Sequence, residues 1–185
     1  LGVSDHVVTV TQSGTAPSLI VTPLNKDVTS TVGITVFNVA SNVAWTSSSD
    51  QPWCTVTPSG TGDGTIIASY ETHTGTGSRT ATITVTGPGV NNQVVTVTQA
   101  GEPPSLIVTP INKNVPSASG TTGFDVASNI AWTSSSDQAW CTVTQSGTGN
   151  GTITAAYQAN TGAGSRVATI TITGAGVSNQ VVTLT

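Results

Sequence analysis

Thr80-Ala81-Thr82-Ile83-Thr84-Val85-Thr86 alternates threonine with an apolar residue at every step. A period of two marks a strand with one buried face and one outward face. Ile66, Ala68 and Tyr70 keep the same period, and so do Val95 and Val97. Working outward, the pattern predicts strands over Leu19–Thr22, Thr35–Val39, Val43–Ser48, Trp53–Thr57, Thr65–Glu71, Arg79–Thr86 and Gln93–Gln99. Turns fall between them at Ser59-Gly60-Thr61-Gly62-Asp63-Gly64, Thr74-Gly75-Thr76-Gly77 and Gly87-Pro88-Gly89, where residues that accept positive φ or break a strand cluster. No window carries a useful length of helical spacing. Short alternating strands at this spacing predict an all-β, immunoglobulin-like antiparallel sandwich of about seven strands, with the Val and Ile rows as its inner faces.

The sandwich occurs twice. Ala44-Trp45-Thr46-Ser47-Ser48-Ser49-Asp50-Gln51-Pro52-Trp53-Cys54-Thr55-Val56-Thr57 returns from Ala131 to Thr144, at an offset of 87 residues (45 to 132). Ser18-Leu19-Ile20-Val21-Thr22-Pro23 returns at Ser105–Pro110, Tyr70 at Tyr157 and Arg79 at Arg166, with no gap. A unit this long can bury a modest core and is too long for a solenoid layer. Two tandem domains are therefore expected, at 15–101 and 102–185. The phrase from Gly2 to Gly14 matches Gly89–Gly101, so residues 1–14 read as the last strand of a preceding or neighbouring repeat. A lone strand is not stable in water. Residues 1–12 are expected to pair with a neighbouring repeat or with a copy of the same protein. Gly101-Glu102-Pro103-Pro104 is a short joint whose prolines restrict swing, as in a semi-rigid rod.

Composition narrows the partners. Only 6% of the 185 residues are charged and the net charge is −4. That argues against nucleic acid, which demands basic patches. The surface is built from Thr, Ser, Asn and Gln, which suits an extracellular setting. No stretch approaches the ~20 apolar residues of a membrane span. The chain opens without Met and without a signal peptide, as expected of a processed or excised piece.

All four tryptophans and both cysteines lie in the repeated stretch. Trp45 and Trp132 sit mid-strand among apolar neighbours and read as core anchors. Trp53 and Trp140 follow a polar turn and are candidates for a glycan or subunit contact as well as for half-buried packing. Cys54 and Cys141 read as small buried apolar residues. A bridge between them would need Cα atoms within ~7 Å, which equivalent points of tandem domains do not offer. Arg79 and Arg166 are expected to form structural ion pairs with Asp50 and Asp137. Asn150-Gly151-Thr152 is a glycosylation sequon, but its counterpart Asp63-Gly64-Thr65 is not, and a turn is the plainer reading. No catalytic, cofactor-binding or metal-ligating set emerges. His6 and His73 do not recur between repeats, and the carboxylates are scattered.

Several of these motifs together resemble the BACON domain, a Bacteroidetes-associated module. They are Leu19-Ile20-Val21-Thr22-Pro23, Ala40-Ser41-Asn42 leading to Trp45, then Trp53 with Val56 and Pro58, Ser59-Gly60-Thr61-Gly62, Arg79 with Ala81 and Ile83, and Val95-Thr96-Val97-Thr98-Gln99-Ala100-Gly101. The second repeat matches in step, with Gln145 in place of Pro58. The resemblance covers nearly the whole chain as two tandem copies plus the last strand of a preceding one. It implies an immunoglobulin-like sandwich in a secreted or surface protein, with carbohydrate or mucin binding proposed for the family. Tandem, nearly identical copies point to a non-enzymatic structural repeat of a surface adhesin stalk or a filament, with a glycan-binding module as the alternative.

Overall fold

The computed structural model describes residues 2–185. Leu1, the first residue of the 1–14 segment, lies outside the described residues. The first repeat forms nine strands: β1 (Leu19–Thr22), β2 (Asn25–Val28), β3 (Gly33–Ser41), β4 (Ala44–Ser49), β5 (Cys54–Val56), β6 (Ser59–Thr61), β7 (Gly64–Tyr70), β8 (Arg79–Thr86) and β9 (Gln93–Gln99). The second forms β10 (Leu106–Thr109), β11 (Asn112–Lys113), β12 (Gly120–Ser128), β13 (Ala131–Ser136), β14 (Cys141–Val143), β15 (Ser146–Thr148), β16 (Gly151–Tyr157), β17 (Ala168–Gly174) and β18 (Gln180–Leu184). Compactness divides the chain into one unit of residues up to Thr72 with Thr80–Thr98, and another of His73–Arg79 with Gln99–Thr185.

Each repeat is a two-sheet, immunoglobulin-like sandwich. In the first, β1-β3-β7-β5 is one sheet and β2-β9-β8-β4-β6 the other. In the second, the orders are β10-β12-β16-β14 and β11-β18-β17-β13-β15. The pairing registers agree between copies. Val21 faces Val39 and Gly33 faces Tyr70, while Val108 faces Val126 and Gly120 faces Tyr157.

Alternation decides which side chains meet. Along β8, Ala81, Ile83 and Val85 are fully buried while the intervening threonines are partly exposed. Phe37 and Val39 of β3, Ile66 and Ala68 of β7, and Val95 and Val97 of β9 close the same core. Their counterparts Phe124, Val126, Ile153, Ala155, Val182 and Leu184 fill the second. At ~25 cal/mol per Å² of apolar surface, each large side chain contributes about 1.5–3 kcal/mol on burial.

The structure departs from the sequence expectation in four places. The Ser59–Gly64 stretch is not all turn. Ser59–Thr61 pairs with β4, with Trp45 opposite Gly60, and the reversal is confined to Gly62-Asp63. Gly62 takes φ +68, the left-handed region that glycine enters without steric cost. Asn25–Val28 is a strand despite a sequence poor in β-formers. Its neighbour β9 supplies the pairing, with the Thr96 N–H donating to the Leu24 carbonyl at 2.9 Å and the Thr96 hydroxyl to Asn25 Oδ1 at 2.8 Å. Nine strands per repeat thus replace the expected seven. The sheets are also not purely antiparallel, since β11 runs parallel to β18. Residues 2–18 carry no regular secondary structure and are exposed.

Candidate functional site

The repeated Trp stretch builds two different environments. Trp45 on β4 and Trp132 on β13 are each 3% exposed. Their indole N–H groups donate to the carbonyls of Gly62 and Gly149, both at 3.0 Å. Gly60 lies flat against the Trp45 ring, where an added Cβ would stand 2.3 Å from Cζ2, and Gly147 stands in the same relation to Trp132. These two rings are almost wholly enclosed by protein. Cys54 and Cys141 are buried, and neither is in a disulfide. Burial pushes the Cys141 thiol up, away from the reactive thiolate.

Trp53 and Trp140 precede the short strands β5 and β14 and are half-buried, packed against the cores. The backbone holds them in matching ways. Glu71 N–H donates to the Trp53 carbonyl and Gln158 N–H to the Trp140 carbonyl, both at 3.0 Å. The Arg166 guanidinium lies over the Trp140 ring, 4.1 Å from its centroid, in cation–π geometry. Its Nη2 donates to the Gln158 carbonyl at 2.5 Å.

The expected Arg–Asp pairs are corrected here. Asp50 Oδ1 accepts the Thr82 N–H, and Asp137 Oδ1 the Thr169 N–H, each at 2.7 Å. Both aspartates stand just past the ends of β4 and β13, where the next backbone donor of the neighbouring strand would otherwise go unpaired. The carboxylate fills that gap, as an N-cap side chain does for a helix. The Thr169 N–H accordingly holds the Asp137 carboxyl below its ordinary value. The arginines turn elsewhere. Arg79 Nε donates to Gln99 Oε1 at 2.9 Å, and Gln99 is fully buried.

Arg166 borders a cavity of about 370 Å³ in the second repeat, lined also by Ser117, Trp140, Tyr157, Gly162 and Ala163. The residues 87 positions earlier, Gly75, Thr76 and Arg79, are in contact with Gln99–Glu102. The Glu102 N–H donates to the Gly75 carbonyl at 2.9 Å. Gly101 packs so closely that a Cβ there would lie 2.3 Å from the Thr76 carbonyl. Gln99 continues the inward phase of Val95 and Val97, a signal that a polar residue on the buried face needs a partner. That signal was present in the sequence, although the partner was not.

Two asparagines also act as clamps that sequence reasoning passed over. Asn42 accepts the Ser18 N–H and donates to the Ala16 carbonyl, both at 2.8 Å. Asn129 does the same with Ser105, at 2.8 Å, and Pro103, at 3.0 Å. Asp63 and Asn150 use a side-chain oxygen to accept the N–H of Ser41 and Ser128, both at 2.9 Å, which explains why Asp and Asn interchange there. His73 Nε2 lies 2.6 Å from the Gly77 carbonyl, and His6 is exposed in the leading segment. Among the described residues, no group of three or more His, Cys, Asp or Glu could hold a metal ion, and no helix is long and apolar enough to cross a membrane.

The family described as the viral BACON domain matches residues 18–102 and 105–185. No curated protein matches the chain in sequence. Among solved structures, a Bacteroides ovatus GH5 xyloglucanase in complex with a XXXG heptasaccharide is 23% identical at TM-score 0.44, covering 46% of this chain and 19% of that one. Protocadherin Gamma B2 extracellular cadherin domains 1–5 are 10% identical at TM-score 0.40, covering 91% and 39%. DIP-gamma IG1+IG2 is 9% identical at TM-score 0.36, covering 92% and 96%. The chain thus spans about a fifth of the xyloglucanase and two-fifths of the protocadherin structure.

Proposed function

Since the chain belongs to the viral BACON domain family, we propose that it is a non-enzymatic structural repeat of a longer extracellular protein. Its sandwiches act as spacers in a surface stalk or a filament, carried by a cell or, following the family's description, by a virus particle. One observation carries the reading. The two repeats keep their cores, their Trp–Gly contacts and their asparagine clamps in register, while an outward face changes freely. Exposed Ile34, Val36 and Ile67 become Thr121, Gly123 and Thr154. A ligand surface shared by both copies would hold its outward residues instead. The neighbouring repeats or copies are the expected partners, through residues 1–12 and the short joints. The uncharged, Thr-rich exterior supports an extracellular location.

Single-molecule pulling tests the mechanical role. Each repeat should unfold as a unit, releasing about 30 nm of contour for 87 residues. Gradual extension without discrete steps would refute a load-bearing spacer. The alternative, glycan or mucin binding, draws on half-buried Trp53 and Trp140 and the cavity beside the latter. A glycan array that lights up with the native chain and goes dark with Trp53→Ala and Trp140→Ala, both still folded, would replace the structural reading with that one.

A further inference from the structure

Asn150 is the only asparagine of the chain that is followed by glycine. Asparagine is among the thermolabile residues. The backbone nitrogen of the next residue attacks its side-chain carbonyl carbon, and glycine hinders that attack least. The Asn150-Gly151 pair sits exposed where the chain reverses between β15 and β16. In the folded chain both reacting groups are held. Asn150 Oδ1 accepts the Ser128 N–H at 2.9 Å, which fixes the carboxamide against the end of β12. Gly151 is paired with Val126 of β12. The Asn129 N–H points to Ser105 on one side of β12 and the Ser128 N–H to the β16 side. By alternation the Val126 N–H also faces β16, so Val126 and Gly151 exchange both backbone bonds. The Gly151 nitrogen is thereby committed to the ladder. In the first repeat the same place is Asp63-Gly64, and Asp63 Oδ1 accepts the Ser41 N–H at the same 2.9 Å. The fold thus already accommodates the acid that the reaction would produce.

We propose that Asn150-Gly151 is a self-modification site gated by the fold, an amide while the hairpin is closed and an acid once β16 has parted from β12. The Gly151 nitrogen gives its proton to solvent and bonds to Asn150 Cγ. The Cγ–Nδ2 bond breaks, and the nitrogen takes up a proton and leaves as ammonia. Water then opens the resulting cyclic imide. Addition at Cγ gives aspartate, and addition at the main-chain carbonyl gives isoaspartate. Water is the only co-reactant, and nothing is oxidised or reduced. Aspartate regains the Ser128 bond as Asp63 holds that of Ser41, so the repeat closes again with one more negative charge. Isoaspartate lengthens the main chain by one carbon and shifts the β12–β16 register. Reclosing the hairpin does not restore the amide, so the site keeps a permanent record of opening. Conversion under native conditions falls tenfold for each ~1.4 kcal/mol of opening free energy. The inference stands apart from the spacer reading.

Peptide mapping by mass spectrometry tests it, with the native chain and the chain in urea above its midpoint both kept in warm neutral buffer. The unfolded chain should gain the mass of an amide-to-acid exchange at Asn150 at least about tenfold faster than the native chain. Asn129, followed by branched Ile130, is the internal reference and should lag behind Asn150 in urea. Gly151→Ala should slow the reaction in urea, where folding plays no part. Gly147→Ala crowds the Trp132 ring from neighbouring β15, with its Cβ 2.3 Å from Cζ2, and should speed conversion without urea. Equal rates in the folded and unfolded chain overturn the gating, as does a destabilised Gly147→Ala chain that converts no faster than the native one. An Asn150 that stays unchanged in urea, or converts no faster than Asn129 or than the Gly151→Ala chain, overturns the site itself.

Discussion

Gly60→Ala is the sharpest probe of how this sandwich is built. The new methyl would stand 2.3 Å from Cζ2 and 2.7 Å from Cε2 of Trp45, well inside carbon contact distance. The indole cannot swing away cheaply. It is 3% exposed, packed in the core, and tied to the Gly62 carbonyl at 3.0 Å. Overpacking a core typically costs about 1–3 kcal/mol, and losing the indole bond adds about 1. A loss of roughly 3 kcal/mol is a large part of a domain stability of about 5–15 kcal/mol. With a urea m-value of about 1–1.5 kcal/mol/M for a domain this size, the midpoint should fall by about 2 M with m unchanged. Hydrogen exchange read by peptide would assign the loss to β4, β6 and β8 of the first repeat, and Gly147→Ala should transfer it to β13, β15 and β17. Gly77→Ala is the control, since nothing lies within 4 Å of its Cβ position. A Gly60→Ala protein within about 0.5 kcal/mol of the native one would show that the strand slides outward freely. The account of β6 as a lid on the indole would then be wrong.

Three further outcomes are expected. Phe37→Ala, at a fully buried ring, should cost about 3–5 kcal/mol in denaturant unfolding, and a cost below 1.5 would mean the core closes over the gap. Asn150→Asp should be neutral within about 0.5 kcal/mol, because Asp63 already accepts the equivalent N–H, whereas Asn150→Ala should lose about 1 kcal/mol by thermal melting. For Asp137 the folded pKa is depressed below 3.8. Its contribution is therefore present above that value and lost as pH falls through the folded pKa. Asp137→Asn should flatten the acid limb of a stability-versus-pH curve, and an unchanged limb would detach Asp137 from acid unfolding.

The repeat, the strand character and the inward faces were legible because they depend on period alone. A residue two positions from Ile83 must share its side of the sheet, whatever lies across from it. Offset identity likewise places Trp132 wherever Trp45 goes. Two features of the candidate site could not be read this way. Arg79 has several acceptors along the chain, and only the register that brings Gln99 beside it and Thr82 beside Asp50 decides which polar groups meet. Strand β2 is invisible for the same reason, since Asn25-Lys26-Asp27 gains its strand state from β9 and not from its own propensity.

Sequence by itself therefore determined the elements, their duplication and the sides that face inward, all properties of short-range spacing. Tertiary structure alone decided the polar partners and the closeness of glycine to indole. Those depend on contacts between residues tens of positions apart, where angstrom-level fit selects one partner among many of equal chemistry.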